Sequence, residues 1–224
     1  MPSLRRVLVT SSLAALGLGA ALLTRRMTQT WGTAALEADL PLPGDDLVRG
    51  ASVVATRAVG IGVPASRVWP WLVQLGYGRG GFYSHDRLER AVGLDIRSAD
   101  RVEPAWQDLA VGDRVDLAGG FGLRVAALEP GRHIVLHGGE PGRGEPVAGS
   151  PPFDFSWAFV LLPWEGRDVG TRLLVRERYR PHGTVGRVVV EATQVASWVM
   201  SAAMLRGIRD RAEGRRARAA RPAG

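Results

Sequence analysis

The amino-acid sequence predicts an α+β domain that consists of an antiparallel sheet and one long C-terminal helix. Short runs rich in β-branched residues recur between residues 53 and 179, with turn residues between them. From Val188 to about Ala212 the chain is predicted to form a single long helix. Sequential strands followed by one segregated helix are typical of α+β architecture.

The predicted elements follow one another in chain order. A first strand covers 53–63, and a short helix then begins at Pro64 and runs through Leu75. Pro70 lies inside this helix and is expected to distort its first turns. A second short helix is predicted at 85–92. The remaining strands are predicted at 114–117, 123–128, 133–137, 156–163 and 171–179, with a Gly/Pro-rich connection at 138–152.

The length of 224 residues fits one domain with extensions. We divide the chain into an N-terminal membrane anchor at 1–26, a linker at 27–50, the domain at 51–213 and a basic tail at 214–224. The linker assignment rests on the extended and turn-forming sequence from Pro41 to Asp46. The chain has no cysteine, which excludes a disulfide framework, a thiol nucleophile and a thiolate metal site.

The positive charge of the chain belongs to its two ends. The formal net charge is +7, and every basic side chain is an arginine. Residues 1–26 contribute +4 and residues 206–224 contribute +5, which leaves −2 for the body between them. A nucleic-acid-binding domain is expected to carry a basic face on its folded body. We therefore expect no nucleic-acid partner.

The segment from Val7 to Leu23 is uncharged and predicts a single-pass membrane anchor. As a helix it would span roughly 26 Å, a little less than a hydrocarbon core of ~30 Å. A cleaved signal peptide is the main alternative, because small residues occur at 19–21. Arg25 and Arg26 follow almost at once and favour retention. Arginines flank both ends, so the side of the membrane stays open.

The strand predicted at 171–179 separates into two faces. Leu173, Val175, Glu177 and Tyr179 share one face, and most of the other face is arginine. If the first face points inward, Glu177 is a carboxylate among apolar groups and must be paired or protonated. A salt bridge to an arginine, contact with a ligand and catalysis are its three open roles.

Aromatic residues predict either a cavity or a filled core. Trp157 and Phe159 share a face of the strand before, and Trp71 and Trp198 lie on the predicted helices. The C-terminal helix also carries many small residues, which leave space against a sheet. The small residues are Ala192, Ala196, Ser197, Ser201, Ala202 and Ala203.

Neither a cofactor nor a metal is predicted. The glycine-rich loop at 76–81 follows a helix and lacks the lysine of a phosphate-binding loop, so it is interpreted as a tight connection. His133 and His137 share a strand face without a third ligand. At the start of the second short helix, His85 and Asp86 fit helix capping better than acid–base chemistry.

A longer string of residues points to a family. It comprises VWPWLVQLG at 68–76, GRGGFYS at 78–84, WQDLAVGD at 106–113 and SWAF at 156–159. With these residues the chain resembles the SRPBCC, or START-related, superfamily of helix-grip proteins. Within it, the chain is similar to a bacterial, membrane-anchored subset of unknown function that is often described as polyketide-cyclase-like. The resemblance covers roughly residues 31–213.

The resemblance implies a curved sheet around the C-terminal helix, with a cavity for hydrophobic ligands between them. The expected function is a membrane-anchored binding protein for a lipid-like or polyketide-like small molecule. The alternatives are a cyclase, aromatase or hydrolase using the same cavity, and a ligand-free interaction or regulatory module. Membrane lipids are expected to contact residues 7–23 and the basic tail. The predicted ligand-binding residues are Trp71, Tyr83, Trp157, Phe159, Glu177, Tyr179 and Trp198.

Overall fold

The computed structural model describes residues 23–84, 97–118, 121–138 and 151–215. Four predictions therefore fall largely outside the described residues: the anchor at 7–23, the second short helix at 85–92, the connection at 138–152 and the basic tail at 214–224.

Within these described ranges, six strands form one open antiparallel sheet in the order β1-β6-β5-β4-β3-β2. The longest pairing joins β5 and β6 over eleven residues each. All the predicted strands are present, and most are slightly longer than predicted. Their bounds are β1 Val53–Ile61, β2 Arg114–Ala118, β3 Phe121–Glu129, β4 His133–Gly138, β5 Phe153–Pro163 and β6 Thr171–Pro181.

Two α-helices are described in full. Helix α1 covers Ala65–Val73 and continues through Pro70, and helix α2 covers Gly183–Ala212. A 3-10 turn at Pro104–Trp106 and a helical stretch at 23–29 complete the helical elements among the described residues. The architecture is the α+β helix-grip fold that the sequence predicts.

Helix α2 begins five residues earlier than predicted, at Gly183 instead of Val188. The glycines at 183 and 186 are typical of a turn, which is why the sequence places the start too late. At Gly186 a Cβ atom would lie 2.2 Å from the carbonyl oxygen of Pro152. Glycine therefore lets the first turn of α2 pack directly against the backbone that leads into β5.

The inner face of the sheet packs against α1 and the C-terminal half of α2. Met204, Leu205 and Ile208 of α2 are almost fully buried in this core, together with Phe159 and Leu173 of the sheet. Of the described helices, only α2 is long and apolar enough to cross a membrane. Its burial against the sheet over its second half is that of a core helix.

The outer face of the sheet is covered by part of the segment predicted as a linker. Leu42 joins an apolar cluster with Val135 and Leu174 on this face. Asp45 accepts a hydrogen bond of 2.7 Å from Arg176 of β6. The segment at 27–50 therefore forms a second layer on the sheet.

Candidate functional site

A buried ion pair joins the two neighbouring strands β1 and β6. The Arg57 Nη1 atom lies 2.9 Å from Glu177 Oε1, and the two side chains are only 1% and 4% exposed. Strand alternation places both residues on the inner face, where they lie under α2. A buried charge is tolerated when it is paired and hydrogen-bonded, and each of these residues supplies the other's counter-ion.

Three hydroxyl groups complete the surroundings of the Glu177 carboxylate. Ser201 donates to Oε1 over 2.8 Å, and Tyr179 donates to Oε2 over 3.1 Å. Ser197, one turn before Ser201 on α2, also donates to Oε2. Burial, followed by the negative charge of Glu177, raises the pKa of Tyr179 well above its ordinary value, so its phenol stays protonated.

A cavity of about 240 Å³ lies beside this cluster, between the sheet and α2. Met200 and Met204 of α2 face it, and Glu177, Tyr179, Ser197 and Ser201 form one part of its wall, which we call the polar end. Most of the remaining wall is apolar. It comprises Phe82, Leu117, Phe121, Phe153, Phe155 and Trp157.

The aromatic side chains of the wall pack on one another. Phe155 stacks on Tyr179 with a centroid distance of 4.6 Å, and Trp157 lies 4.7 Å from Phe159. Phe155 and Trp157 are on one strand two residues apart, so they point to the same side. The strand pairing thus builds a continuous aromatic wall that includes Tyr179.

The structure places three of the seven predicted site residues on the cavity wall: Trp157, Glu177 and Tyr179. Phe159 is buried behind Trp157 in the core. Trp71 and Tyr83 also lie in the core and contact each other, because the Tyr83 hydroxyl donates to the carbonyl oxygen of Trp71 over 3.0 Å.

The last predicted residue, Trp198, is half-buried on α2 and does not line the cavity. It is one residue from Ser197, so the helix turns it away from the polar end.

Sequence reasoning missed the most important partner of Glu177. A salt bridge to an arginine is one of the three roles that the sequence leaves open for Glu177, but the sequence does not single out Arg57. The available signal was strand alternation, since Arg57 lies on the same face of β1 as Val53, Val59 and Ile61. An arginine among inward apolar positions requires a buried carboxylate nearby.

The other candidate features of the sequence and of the surface do not form a comparable site. Among the described residues, no group of three or more His, Asp or Glu side chains is arranged to hold a metal ion. His133 Nδ1 lies 3.6 Å from Glu129 Oε2 at the surface, whereas His137 is buried on the same strand face. A larger groove of about 700 Å³ runs past Pro43, Arg132 and Val169, where the strand-connecting turns lie.

Comparison with known proteins gives weak structural similarities only. No protein-family model and no curated protein sequence matches the chain. Protein DR_A0006 from Deinococcus radiodurans is 19% identical with a TM-score of 0.39, over 72% of this chain and 99% of its own. The hypothetical protein jhp0584 from Helicobacter pylori is 13% identical with a TM-score of 0.46, over 79% and 96%.

A third similar structure is the di-domain aromatase/cyclase BexL of the BE-7585A biosynthetic pathway. It is 14% identical with a TM-score of 0.42, and the match covers 72% of this chain and 46% of BexL. At such scores none of these structures bears on what the chain does. The helix-grip class follows from the strand order and the position of α2.

Proposed function

We propose that the chain is a binding protein for a hydrophobic small molecule, lipid-like or polyketide-like, and that residues 7–23 hold it at a membrane. The observation that carries the first part is the aromatic cavity between sheet and α2, which ends at a few convergent polar groups. Ligand sites commonly combine an apolar wall with a small number of placed polar atoms. The volume of about 240 Å³ suits a ligand smaller than a typical drug.

Polar groups that converge on Glu177 are also what an enzyme in the same cavity would need. A general base, however, requires a free lone pair within reach of the proton it removes. Both oxygens of Glu177 already accept hydrogen bonds, from Arg57, Ser201, Tyr179 and Ser197. The arrangement therefore favours binding over a cyclase, aromatase or hydrolase reaction.

Native mass spectrometry of the full chain purified from its own host tests the binding function. We expect a co-purifying hydrophobic molecule at one per chain. Met200→Trp should fill the cavity and remove that molecule, because Met200 lies on the cavity wall. Val195→Trp places the same ring on the same helix at a 65% exposed position and should leave the molecule bound. Repeatedly empty preparations of the unchanged chain would contradict the proposal.

Exposed apolar side chains support the membrane attachment. Leu23 and Met27 are 61% and 63% exposed, and Val188 of α2 is 65% exposed. Arg25 lies 2.9 Å from Glu191 of α2, so the 23–29 stretch lies beside the first half of that helix. The residues that follow the predicted anchor thus lie beside exposed apolar side chains of α2, and a lipid bilayer at this place would cover them.

Flotation with liposomes tests this attachment. Leu16→Arg puts a charge near the middle of the segment from Val7 to Leu23, and a charge at the centre of a bilayer costs several kcal/mol, about 3 or more. We expect the variant to leave the membrane fraction. Leu36→Arg, at a position 76% exposed on the domain, is the matched control and should float like the unchanged chain. Unchanged flotation of Leu16→Arg would refute the anchor.

A further inference from the structure

At the polar end of the cavity, every hydroxyl hydrogen already takes part in a hydrogen bond within the protein. A carboxylate only accepts hydrogen bonds, so Ser197, Ser201 and Tyr179 must each point their single hydroxyl proton at Glu177. The Arg57 Nη1 group adds a fourth donor to the same carboxylate. These four donors fill its roughly four acceptor positions.

The oxygens of the two serines retain capacity to accept. Arg57 Nη1 lies 3.3 Å from Ser197 Oγ and 3.4 Å from Ser201 Oγ, and each such contact uses one lone pair. A hydroxyl oxygen has two lone pairs, which leaves one on each serine. The Tyr179 oxygen likewise keeps acceptor capacity. Toward the cavity, the polar end therefore presents acceptors.

The other possible donors to an anionic ligand are buried or already have a partner, and the latter include Ser84 on the cavity wall. Arg57 is not part of the wall, and its Nη2 atom is fully buried. The indole nitrogen of Trp157 has no partner among the described residues, but this atom is also fully buried. Thr193, the other hydroxyl of α2 on the wall, donates to the Val190 carbonyl oxygen over 2.8 Å.

From this pattern we propose that the cavity selects a neutral ligand with a hydroxyl group, an alcohol or a phenol, whose proton is donated to Ser197 or Ser201. The ligand's carbon skeleton lies against the aromatic wall. A carboxylate or phosphate is excluded, because it would meet oxygen lone pairs beside a carboxylate in a poorly solvated space. A charged ammonium group at the two serines would lie beside the Arg57 guanidinium, which contacts both of them, and would also leave water for a mostly apolar wall, so it is excluded as well. The inference rests on the proposed binding function and specifies its ligand.

The cavity volume sets the size of a suitable probe. At about 30 Å³ for each water-sized group, 240 Å³ holds about eight such groups. 4-Ethylphenol has this size and carries the hydroxyl donor. 4-Ethylanisole replaces the donor with an acceptor-only ether, 4-ethylbenzoate carries an anion, and ethylbenzene carries no polar group.

Isothermal titration of the full chain in nanodiscs, with empty nanodiscs as the blank, tests the inference. We expect 4-ethylphenol to bind about tenfold more tightly than 4-ethylanisole, the value of one good hydrogen bond, and 4-ethylbenzoate to bind most weakly. Equal affinity for the phenol and the ether, or tighter binding of the anion, would overturn the inference while leaving the binding function intact. Binding of none of the four probes would refute both.

A double variant, Ser197→Ala with Ser201→Ala, tests whether these two serines cause the preference for the phenol. This double variant should lose the preference for the phenol over the ether and keep its affinity for ethylbenzene, which shows that the cavity is still formed. Val195→Leu, at a 65% exposed position of the same helix outside the cavity wall, is the control and should keep the preference. A preference that survives the serine substitutions would place the hydroxyl elsewhere and contradict the assignment.

Discussion

Two adjacent residues of β6 form ion pairs on opposite faces of the sheet. The two pairs differ in how exposed they are and in which elements surround them. Glu177 points inward and meets Arg57, with both side chains at most 4% exposed. Arg176 points outward and meets Asp45, whose side chain is 27% exposed. The inner pair is enclosed by strands and by α2, whereas the outer pair joins the sheet to the segment at 27–50.

The two pairs also differ in what remains if one partner is lost. Arg176 still donates to the carbonyl oxygens of Leu40 and Ala38 and to the hydroxyl of Thr56. Among the described residues, Arg57 has one further strong partner, the carbonyl oxygen of Thr28, and its buried Nη2 atom has none. Loss of the carboxylate should therefore cost more on the inner face than on the outer face.

Glu177→Ala should give the largest loss of stability. It leaves the Arg57 charge buried without a counter-ion, which typically costs about 3–5 kcal/mol. Urea denaturation followed by tryptophan fluorescence measures the change in the free energy of unfolding. Replacing both partners, Arg57→Met with Glu177→Leu, should recover most of the loss, because no charge is then left buried. A loss below that of the outer-face variant described next would reverse the comparison.

Asp45→Ala should have the second largest effect. It removes charge-assisted hydrogen bonds to Arg176 and Arg178 and the bond that Asp45 accepts from the Leu42 amide. Hydrogen bonds to charged groups contribute roughly 1.5–3 kcal/mol, and partial exposure places the expected loss near the lower value. Asp46→Ala, at the exposed neighbouring position, serves as the control and should change the free energy of unfolding by less than about 0.5 kcal/mol.

Ser201→Ala sharpens the comparison within the inner face. The Arg57–Glu177 pair stays intact, and Glu177 loses one of its donors. We expect a loss of about 1 kcal/mol in the same denaturation experiment, the net value of one hydrogen bond. A loss as large as that of Glu177→Ala would mean that the serine, rather than the arginine, holds the carboxylate.

The smallest expected effect is a pH dependence on the outer face. The hydrogen bond from Arg172 lowers the pKa of Glu37 below its ordinary value of 4.5. A lowered folded-state pKa contributes stability above pH 4.5, and this contribution is lost as the pH falls through the folded-state pKa. Solvent screening limits it to less than about 1 kcal/mol. Glu37→Gln should flatten stability against pH below 4.5, and an unchanged slope would contradict this role.

The sequence predicts which side chains of β6 point inward and which point outward. It does not predict the residues that these side chains contact. Strand alternation correctly separates Glu177 from the arginines at 176 and 178. The partner of Glu177 is 120 residues away in the chain, on β1, and no local pattern specifies a contact at that separation. Pairing across a sheet depends on strand order, which the sequence pattern leaves undetermined.

The cavity was equally hard to predict in detail. Ser197 and Ser201 are small residues of the C-terminal helix, and the sequence does not distinguish a small side chain that leaves space from one that donates a hydrogen bond. Trp71 and Phe159 show the converse case, because aromatic residues at suitable spacing fill the core instead of lining the cavity. The rotation of α2 against the sheet decides these roles, and it is set by packing over its whole length.

The Arg57 side chain links the polar end of the cavity to the N-terminal part of the chain. While its Nη1 atom holds Glu177 at the end of the cavity, its Nε atom donates to the Thr28 carbonyl oxygen over 3.0 Å. Thr28 belongs to the helical stretch that follows the predicted anchor. In the proposed membrane-anchored binding protein, a pull on the N-terminal end of the chain would therefore reach the proposed hydroxyl site through the Arg57 guanidinium, among other contacts. Tension at the anchor and binding in the cavity would then act on the same side chain.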